Sequence, residues 1–314
     1  MNTQESIPMP SCVIGTWAWG GGMNGSRMIF GQRSDEERLR ATFQRAMEAG
    51  FTYWDSAEVY GNGESERILG ECLRKYPGAR ISTKHAPGKK FVPGAMEKSL
   101  AASCARLGIA SPDIYFLHSP SNIEQNTHAA VELLRTGKIK AFGLSNVTLQ
   151  QVLLASGILA TAGYRLGAVQ NHFSLLSEPD LQALLVQWCT ENDVPFFAYM
   201  VLEQGALSGR YDADHPFPPM CLRSMMFPRS KFRRIEPLLA LLRSFSDKHG
   251  VPVSQIPIAW ARAKGTMPLV GLTKPEHADQ LALGSRIQLS ADEITSLDES
   301  ARATGVVCKG VWET

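Results

Sequence analysis

The chain has 314 residues, of which 44% are hydrophobic and 20% charged, enough apolar content to bury a large core and too much for a disordered chain. Its formal net charge of +2 supplies no global field that would call for nucleic acid or a membrane surface. No apolar run approaches the ~20 residues a helix needs to cross a bilayer.

The expected elements follow one another in a regular order. A first strand lies near Cys12–Gly15. Ser34-Asp35-Glu36-Glu37 has the spacing of a capping box, with Ser34 at the cap. Leu39, Phe43, Ala46 and Met47 then recur at helical spacing, and Gly50 stops the helix. A strand at 52–55 precedes a helix from Glu64 to Lys75, and a strand at 80–84 precedes a helix from about Pro93 to Leu107. The alternation continues with strand 113–118, helix 122–135, strand 139–144, helix 149–159, strand 166–170, helix 178–191 and strand 195–199. It breaks at 203–230, where Pro216, Pro218, Pro219 and Pro228 mix with Gly205, Gly209, Met220, Met225 and Met226 in a long excursion loop. Helices near 231–248 and 254–264, a strand at 267–270 and one helix from about Pro275 complete the chain. The basic stretch Arg229 to Arg234 reads as the solvated start of a helix.

Units recur every ~25–35 residues, the spacing of parallel strands joined by helices. An open doubly wound sheet would carry G-x-G-x-x-G after its first strand, and Gly20-Gly21-Gly22 lacks that spacing. The predicted fold class is therefore α/β, a (β/α)8 TIM barrel forming a single domain over 1–314.

Asp55, Lys84 and His118 each terminate a short apolar or β-branched run, and Tyr60 lies five residues past the first of them. Ionisable groups at successive strand ends are expected at the carboxyl face of a parallel barrel, where such folds keep their active sites. The four types are chemically coherent. A phenol can donate a proton, an ammonium close by should lower its pKa, a carboxylate can hold the ammonium, and an imidazole can orient a substrate oxygen. The seven histidines show no H-x-x-x-H or H-E-x-x-H spacing, so no metal site is expected.

Around Tyr60 the chain reads Asp55-Ser56-Ala57-Glu58-Val59-Tyr60-Gly61-Asn62-Gly63-Glu64-Ser65-Glu66. This stretch resembles the aldo-keto reductase family, and the likeness extends through Gly15-Thr16-Trp17, Ser82-Thr83-Lys84, Leu117-His118, Gly143 to Asn146, Gln170-Asn171, Ala198-Tyr199, Gly205 to Gly209 and Gly271 to Glu276. The resemblance implies an eight-stranded barrel and an NADPH (NADP+)-dependent reductase of a small-molecule carbonyl, or in reverse a dehydrogenase of the alcohol. Its catalytic tetrad would fall on Asp55, Tyr60, Lys84 and His118. Its cofactor contacts would fall on Ser145, Asn146 and Gln170 at the carboxamide, Tyr199 on the nicotinamide ring, Leu207 and Gly209 in the pyrophosphate loop, and Lys274 at the adenosine phosphate. Gly15, Thr16, Trp17, Asp55, Leu202, Gly205, Arg210, Gly271, Thr273, His277 and Gln280 complete the implied cofactor set. The departures, Met200-Val201 in place of Ser-Pro, Leu281 where Asn is common and the absence of the usual Arg or polar group near His277, fall at the pyrophosphate and adenine end and bear on the strength of the NADPH preference.

Two other readings are consistent with parts of this pattern. Barrels similar to the same family serve as NADPH-binding regulatory partners of channels, and a barrel lyase would use Lys84 in a Schiff base. Trp17, Trp19 and Trp54 could line an apolar substrate pocket or pack the barrel, and the 203–230 excursion could fold over the site as a lid. Cysteines at 12, 72, 104, 189, 221 and 308 form no C-x-x-C pair, and Met1–Pro10 lacks a signal-peptide pattern. A cytoplasmic monomer or weak homo-oligomer is expected, with no nucleic-acid or membrane partner.

Overall fold

The computed structural model describes residues 11–21 and 35–310. Eight parallel strands close into a barrel in chain order: β1 (Val13–Gly15), β2 (Tyr53–Asp55), β3 (Arg80–His85), β4 (Ile114–Leu117), β5 (Phe142–Ser145), β6 (Ala168–His172), β7 (Phe196–Tyr199) and β8 (Met267–Gly271). Closure is made by β1, which pairs with β2 on one side and β8 on the other, with Gly15 opposite both Asp55 and Gly271. The helices outside are α1 (Glu36–Glu48), α2 (Glu64–Leu73), α3 (Ala95–Leu107), α4 (Ile123–Arg135), α5 (Leu149–Thr161), α6 (Pro179–Glu191), α7 (Leu222–Met226), α8 (Arg229–His249), α9 (Gln255–Ala263), α10 (Pro275–Gly284) and α11 (Ala291–Ala303).

The strands are short and buried on both faces, which is why their sequences run apolar rather than alternate. Val13, Tyr53, Ile114, Phe116, Ala141, Ala168 and Phe197 fill the barrel interior. Phe197 packs edge-on against Tyr53 at 5.7 Å between ring centroids and meets Phe116 at the same distance. Gly143 makes room for this layer, because a Cβ there would lie 2.5 Å from the Phe116 ring. A second and larger apolar layer lies between the strands and the helices, with Trp54 stacked on Phe43 at 4.5 Å.

The alternation read from the sequence matches the architecture, with local differences. The cap of α1 is Asp35, whose side chain accepts from the amides of Glu37 and Arg38; Ser34 lies outside the described residues. Strands β5 and β6 sit one to three residues further along than expected, because the neighbouring strands fix their register: Gly143 faces Ala168, and Ser145 faces Gln170. The segment after Pro275 is two helices, since Ser290 and Glu293 form a capping box that starts a new helix at α11. The basic stretch does open a helix, α8. The excursion is not all loop, as it holds a short 3-10 turn at Glu203–Gly205 and the five residues of α7. Among the described residues no helix is long and apolar enough to cross a membrane, and all six cysteines are free.

Gly70 on α2 is the point of closest approach to α3. A Cβ there would meet the Arg106 carbonyl and come within 2.9 Å of the Leu107 backbone. Backbone cannot rotate aside as a side chain can, so Gly70→Ala should destabilise the fold by ~1–3 kcal/mol, read as a lowered urea midpoint at unchanged m-value.

Candidate active site

At the carboxyl end of the barrel the four strand-end groups converge. Lys84, on β3, has no exposed surface, and its ammonium forms an ion pair with the Asp55 carboxylate at the end of β2. The same Nζ donates to the Ser56 carbonyl at 2.7 Å and to the Tyr60 hydroxyl at 3.3 Å. Asp55 is held from its other side: Oδ1 accepts from Ser82 Oγ at 2.7 Å and from Gln170 Nε2 at 3.2 Å. A second buried carboxylate, Glu66 on α2, lies just behind and accepts from Thr83 Oγ1 at 2.5 Å and Arg106 Nε at 2.7 Å. His118 lies one residue past β4, its amide bonded to the His85 carbonyl at 2.8 Å, and its ring stands edge-on to Tyr60 at 5.7 Å.

The glycines after Tyr60 explain its placement. Tyr60 opens a tight turn in which Gly61, Asn62 and Gly63 all have positive φ. Gly61 and Gly20 pack backbone against backbone, since a Cβ on Gly61 would lie 2.7 Å from Gly20 Cα. A Cβ on Gly63 would collide with the Arg106 side chain at 2.8 Å. The Tyr-Gly-x-Gly spacing is therefore a steric requirement for bringing the phenol over Lys84.

Burial sets the protonation states. Removal from water and then the nearby Asp55 charge push the Tyr60 phenol well above its ordinary value. This corrects the expectation that Lys84 lowers it. The ammonium is itself committed to Asp55, and burial pulls Lys84 down from its usual range. His118 is driven well below the ordinary imidazole value by burial, with Lys84 and His85 acting in the same direction. The resting site thus holds a protonated phenol beside a neutral imidazole.

The tetrad forms the floor of a cavity of about 680 Å³. Asp55, Tyr60 and His118 line it, while Lys84 sits beneath, out of reach of any substrate. That geometry removes the Schiff-base reading of Lys84. Of the implied cofactor residues, Gly15, Trp17, Ser145, Asn146, Gln170, Tyr199, Leu202, Gly205, Arg210, Gly271, Thr273, Lys274, His277 and Gln280 line the same cavity. Thr16, Leu207 and Gly209 do not. Thr16 is buried and donates to the Asp55 carbonyl at 3.0 Å, the Leu207 side chain is wholly within the core, and Gly209 packs against Val253, which a Cβ would meet at 2.7 Å. Trp17 lies beside Tyr60 at 6.1 Å, whereas Trp19 and Trp54 are buried and pack on each other at 5.4 Å.

The middle of the cavity is a polar chain. The Tyr199 hydroxyl donates to Asn146 Oδ1 at 2.5 Å, and Asn146 Nδ2 donates to the His118 carbonyl at 2.8 Å and to Ser145 Oγ at 3.1 Å. Asn146 holds a left-handed backbone, φ 61°, that asparagine tolerates better than most residues. The far end is positive. The N-termini of α9, at Ser254 and Gln255, and of α10, at Lys274, both line it. His277 there is lowered by burial and by the charges of Lys274, Arg38 and Arg210. Two helix N-termini and three cations suit a phosphate-bearing ligand. Arg38 on α1 and Arg223 on α7 were invisible to sequence reasoning, because nothing local marks which residues of a remote helix reach a strand-end cavity.

Comparison with known proteins agrees with this arrangement. The Aldo/keto reductase family profile matches residues 12–302, and the chain belongs to that family. It is an oxidoreductase acting on carbonyl or alcohol groups. A chloroplastic pyridoxal reductase of Arabidopsis thaliana is 30% identical, over 92% of this chain and 82% of its own. A glycerol dehydrogenase from Gluconobacter oxydans superposes with a TM-score of 0.82 at 23% identity, covering 99% of this chain and 98% of that one. An aldo-keto reductase from Klebsiella pneumoniae, solved in complex with NADPH, superposes with a TM-score of 0.69 at 24% identity, covering 97% and 94%.

Replacing Asp55 with Asn leaves the Lys84 ammonium buried without its counter-charge. The variant should lose ~3–5 kcal/mol of stability by chemical denaturation.

Proposed function

We propose that this chain is an NADPH-dependent reductase of aldehydes or ketones in which Tyr60 supplies the proton. The observation that carries this reading is the Tyr60 phenol, held 3.3 Å from the Lys84 ammonium at the cavity floor, with the cation-rich end of the same cavity opposite. When bound, NADPH supplies the hydride. The family membership and the NADPH complex of the Klebsiella relative support the cofactor, and the residues present suit it. Lys274 and the α10 N-terminus would hold its adenosine phosphate. Asn146 and Gln170 would hold the carboxamide, and Tyr199 would give the ring a flat surface.

The protein's part in the reaction follows from its own groups. A substrate carbonyl oxygen seated between Tyr60 and His118 is polarised by both. Tyr60 gives its proton to that oxygen as negative charge builds there, and Lys84 stabilises the phenolate left behind. Asp55 acts through Lys84, keeping it charged in a site that would otherwise strip it of its proton. His118, neutral, orients the oxygen. The excursion carries Arg223, whose guanidinium lies 4.6 Å over Phe217 and 5.4 Å over Tyr211 at the cavity wall. That placement fits closure of the excursion over bound cofactor.

A spectrophotometric screen of NADPH against NADH over pyridoxal, aromatic and aliphatic aldehydes, dihydroxyacetone and sugars tests the activity. NADPH oxidation by at least one carbonyl is expected; tight NADPH binding without turnover on any of them would replace the enzyme with a non-catalytic NADPH binder. Tyr60→Phe should lower kcat by ~10²–10⁴ while NADPH affinity holds. The pH dependence has a definite sign. Reduction needs the proton on Tyr60, and the folded pKa is raised, so kcat/KM should stay level through neutral pH and fall only above pH 10. Alcohol oxidation, which needs the phenolate, should rise with pH over the same range.

A further inference from the structure

Between β7 and Leu207 the backbone runs through an unusual turn. Met200, Glu203, Gln204 and Gly205 have φ of 57°, 46°, 55° and 104°. Three of the four are not glycine, and side-chain-bearing residues avoid that region. Such a turn persists only where surrounding structure holds it. The turn also builds one wall of the cavity, since Tyr199, Met200, Val201, Leu202, Gln204 and Gly205 all line it. Glu203 is the exception. It points away from the cavity, and its carboxylate has no exposed surface.

What receives that carboxylate is a closed polar cluster on the neighbouring strand. Glu203 Oε1 faces His172 Nε2 at 2.6 Å and accepts from the Ser174 hydroxyl. Ser174 Oγ in turn accepts from the Leu176 amide at 3.0 Å. The Cys308 amide donates to the Leu176 carbonyl at 2.6 Å, so the tail passes behind the cluster. His172 is the cross-strand partner of Tyr199, and its ring lies 5.9 Å from the Tyr199 ring, 31° from parallel. One imidazole therefore backs the Tyr199 ring and grips the turn that follows it.

We propose that the buried His172–Glu203 pair is a positioning device for the cofactor, a latch that holds the 200–205 turn and the Tyr199 ring in the shape NADPH binds. Neither residue touches the cavity. Both act through the backbone that does, and an unheld turn must be ordered when the ligand arrives, which weakens binding without altering the reacting groups. The inference rests on the NADPH reading above and adds residues that reading does not use.

The test is a fluorescence titration with NADPH on the full chain and its Glu203→Ala, Glu203→Gln and His172→Ala variants, beside kcat at saturating NADPH. Glu203→Ala and His172→Ala should raise the NADPH Kd on the order of tenfold or more. Their kcat, measured once the cofactor is saturating, should stay within about threefold, the split expected when binding rather than chemistry is lost. Glu203→Gln keeps the side-chain shape and the Ser174 bond, so it should recover part of the affinity; it also serves if the alanine variants fail to fold. Leu242→Ala, in the core face of α8, supplies a control of matched thermal destabilisation with parental affinity. A Kd within twofold of the parent in the folded Glu203 and His172 variants, or a loss no greater than that of the control, would overturn the latch. Absence of NADPH binding in the parent chain would instead overturn the cofactor assignment itself.

Discussion

The Lys84 ammonium has no exposed surface, and a cation in that position is tolerable only while a carboxylate faces it and carbonyl and hydroxyl oxygens take its remaining protons. Much of the carboxyl end of the barrel is arranged to meet this condition. Asp55 is brought in by the pairing of β2 with β3 and is clamped by Ser82 and by Gln170 from across the barrel. Glu66 adds a second negative charge from α2, fixed in its turn by Thr83 and Arg106. Tyr60 accepts the last hydrogen bond of the ammonium and, unlike Lys84, faces the cavity. The protonation pattern follows from the same arrangement. An ammonium already paired does little to acidify a neighbouring phenol, while burial and the Asp55 charge keep that phenol protonated.

The cavity divides by chemistry along its length. Proton-bearing and orienting groups sit over the barrel axis, a chain of amide and hydroxyl groups occupies the middle, and helix N-termini with cations occupy the far end. The fold produces this division. Strand ends supply the residues nearest the axis, the β7 excursion supplies a wall, and the helices flanking β8 turn their N-termini to the same side as the strand ends, as parallel strand-helix units require. The wall carries the strain, in the positive φ values from Met200 to Gly205, and the His172–Glu203 cluster lies directly behind it.

Much of this was legible before any coordinates. Short apolar runs at regular spacing pointed to parallel strands, and the ionisable residues ending three of them pointed to the carboxyl face. The Tyr-Gly-x-Gly stretch marked the turn that carries the phenol, although its reason, the contact of Gly61 with Gly20, needs two segments 41 residues apart to meet. Strand limits at β5 and β6 were misplaced by one to three residues because register is settled by neighbouring strands rather than by local preference. Leu207 and Gly209 were assigned to the cofactor loop on resemblance; their loop neighbours Gly205, Ser208 and Arg210 line the cavity, while the Leu207 side chain packs into the core. Arg38, Arg223, His172 and Glu203 carried no signal at all, since each owes its position to an element far away in the chain.

The sequence by itself determined the kind of elements, their order, and which side chains stand at the strand ends, because period and chain order depend on near neighbours. Only the tertiary structure decided what those side chains experience. Whether Tyr60 keeps its proton, whether Lys84 meets substrate or lies beneath the floor, and which of three tryptophans reaches the cavity depend on burial and on charges from other strands. Those quantities are set by distance in space, and no local pattern of residues encodes them.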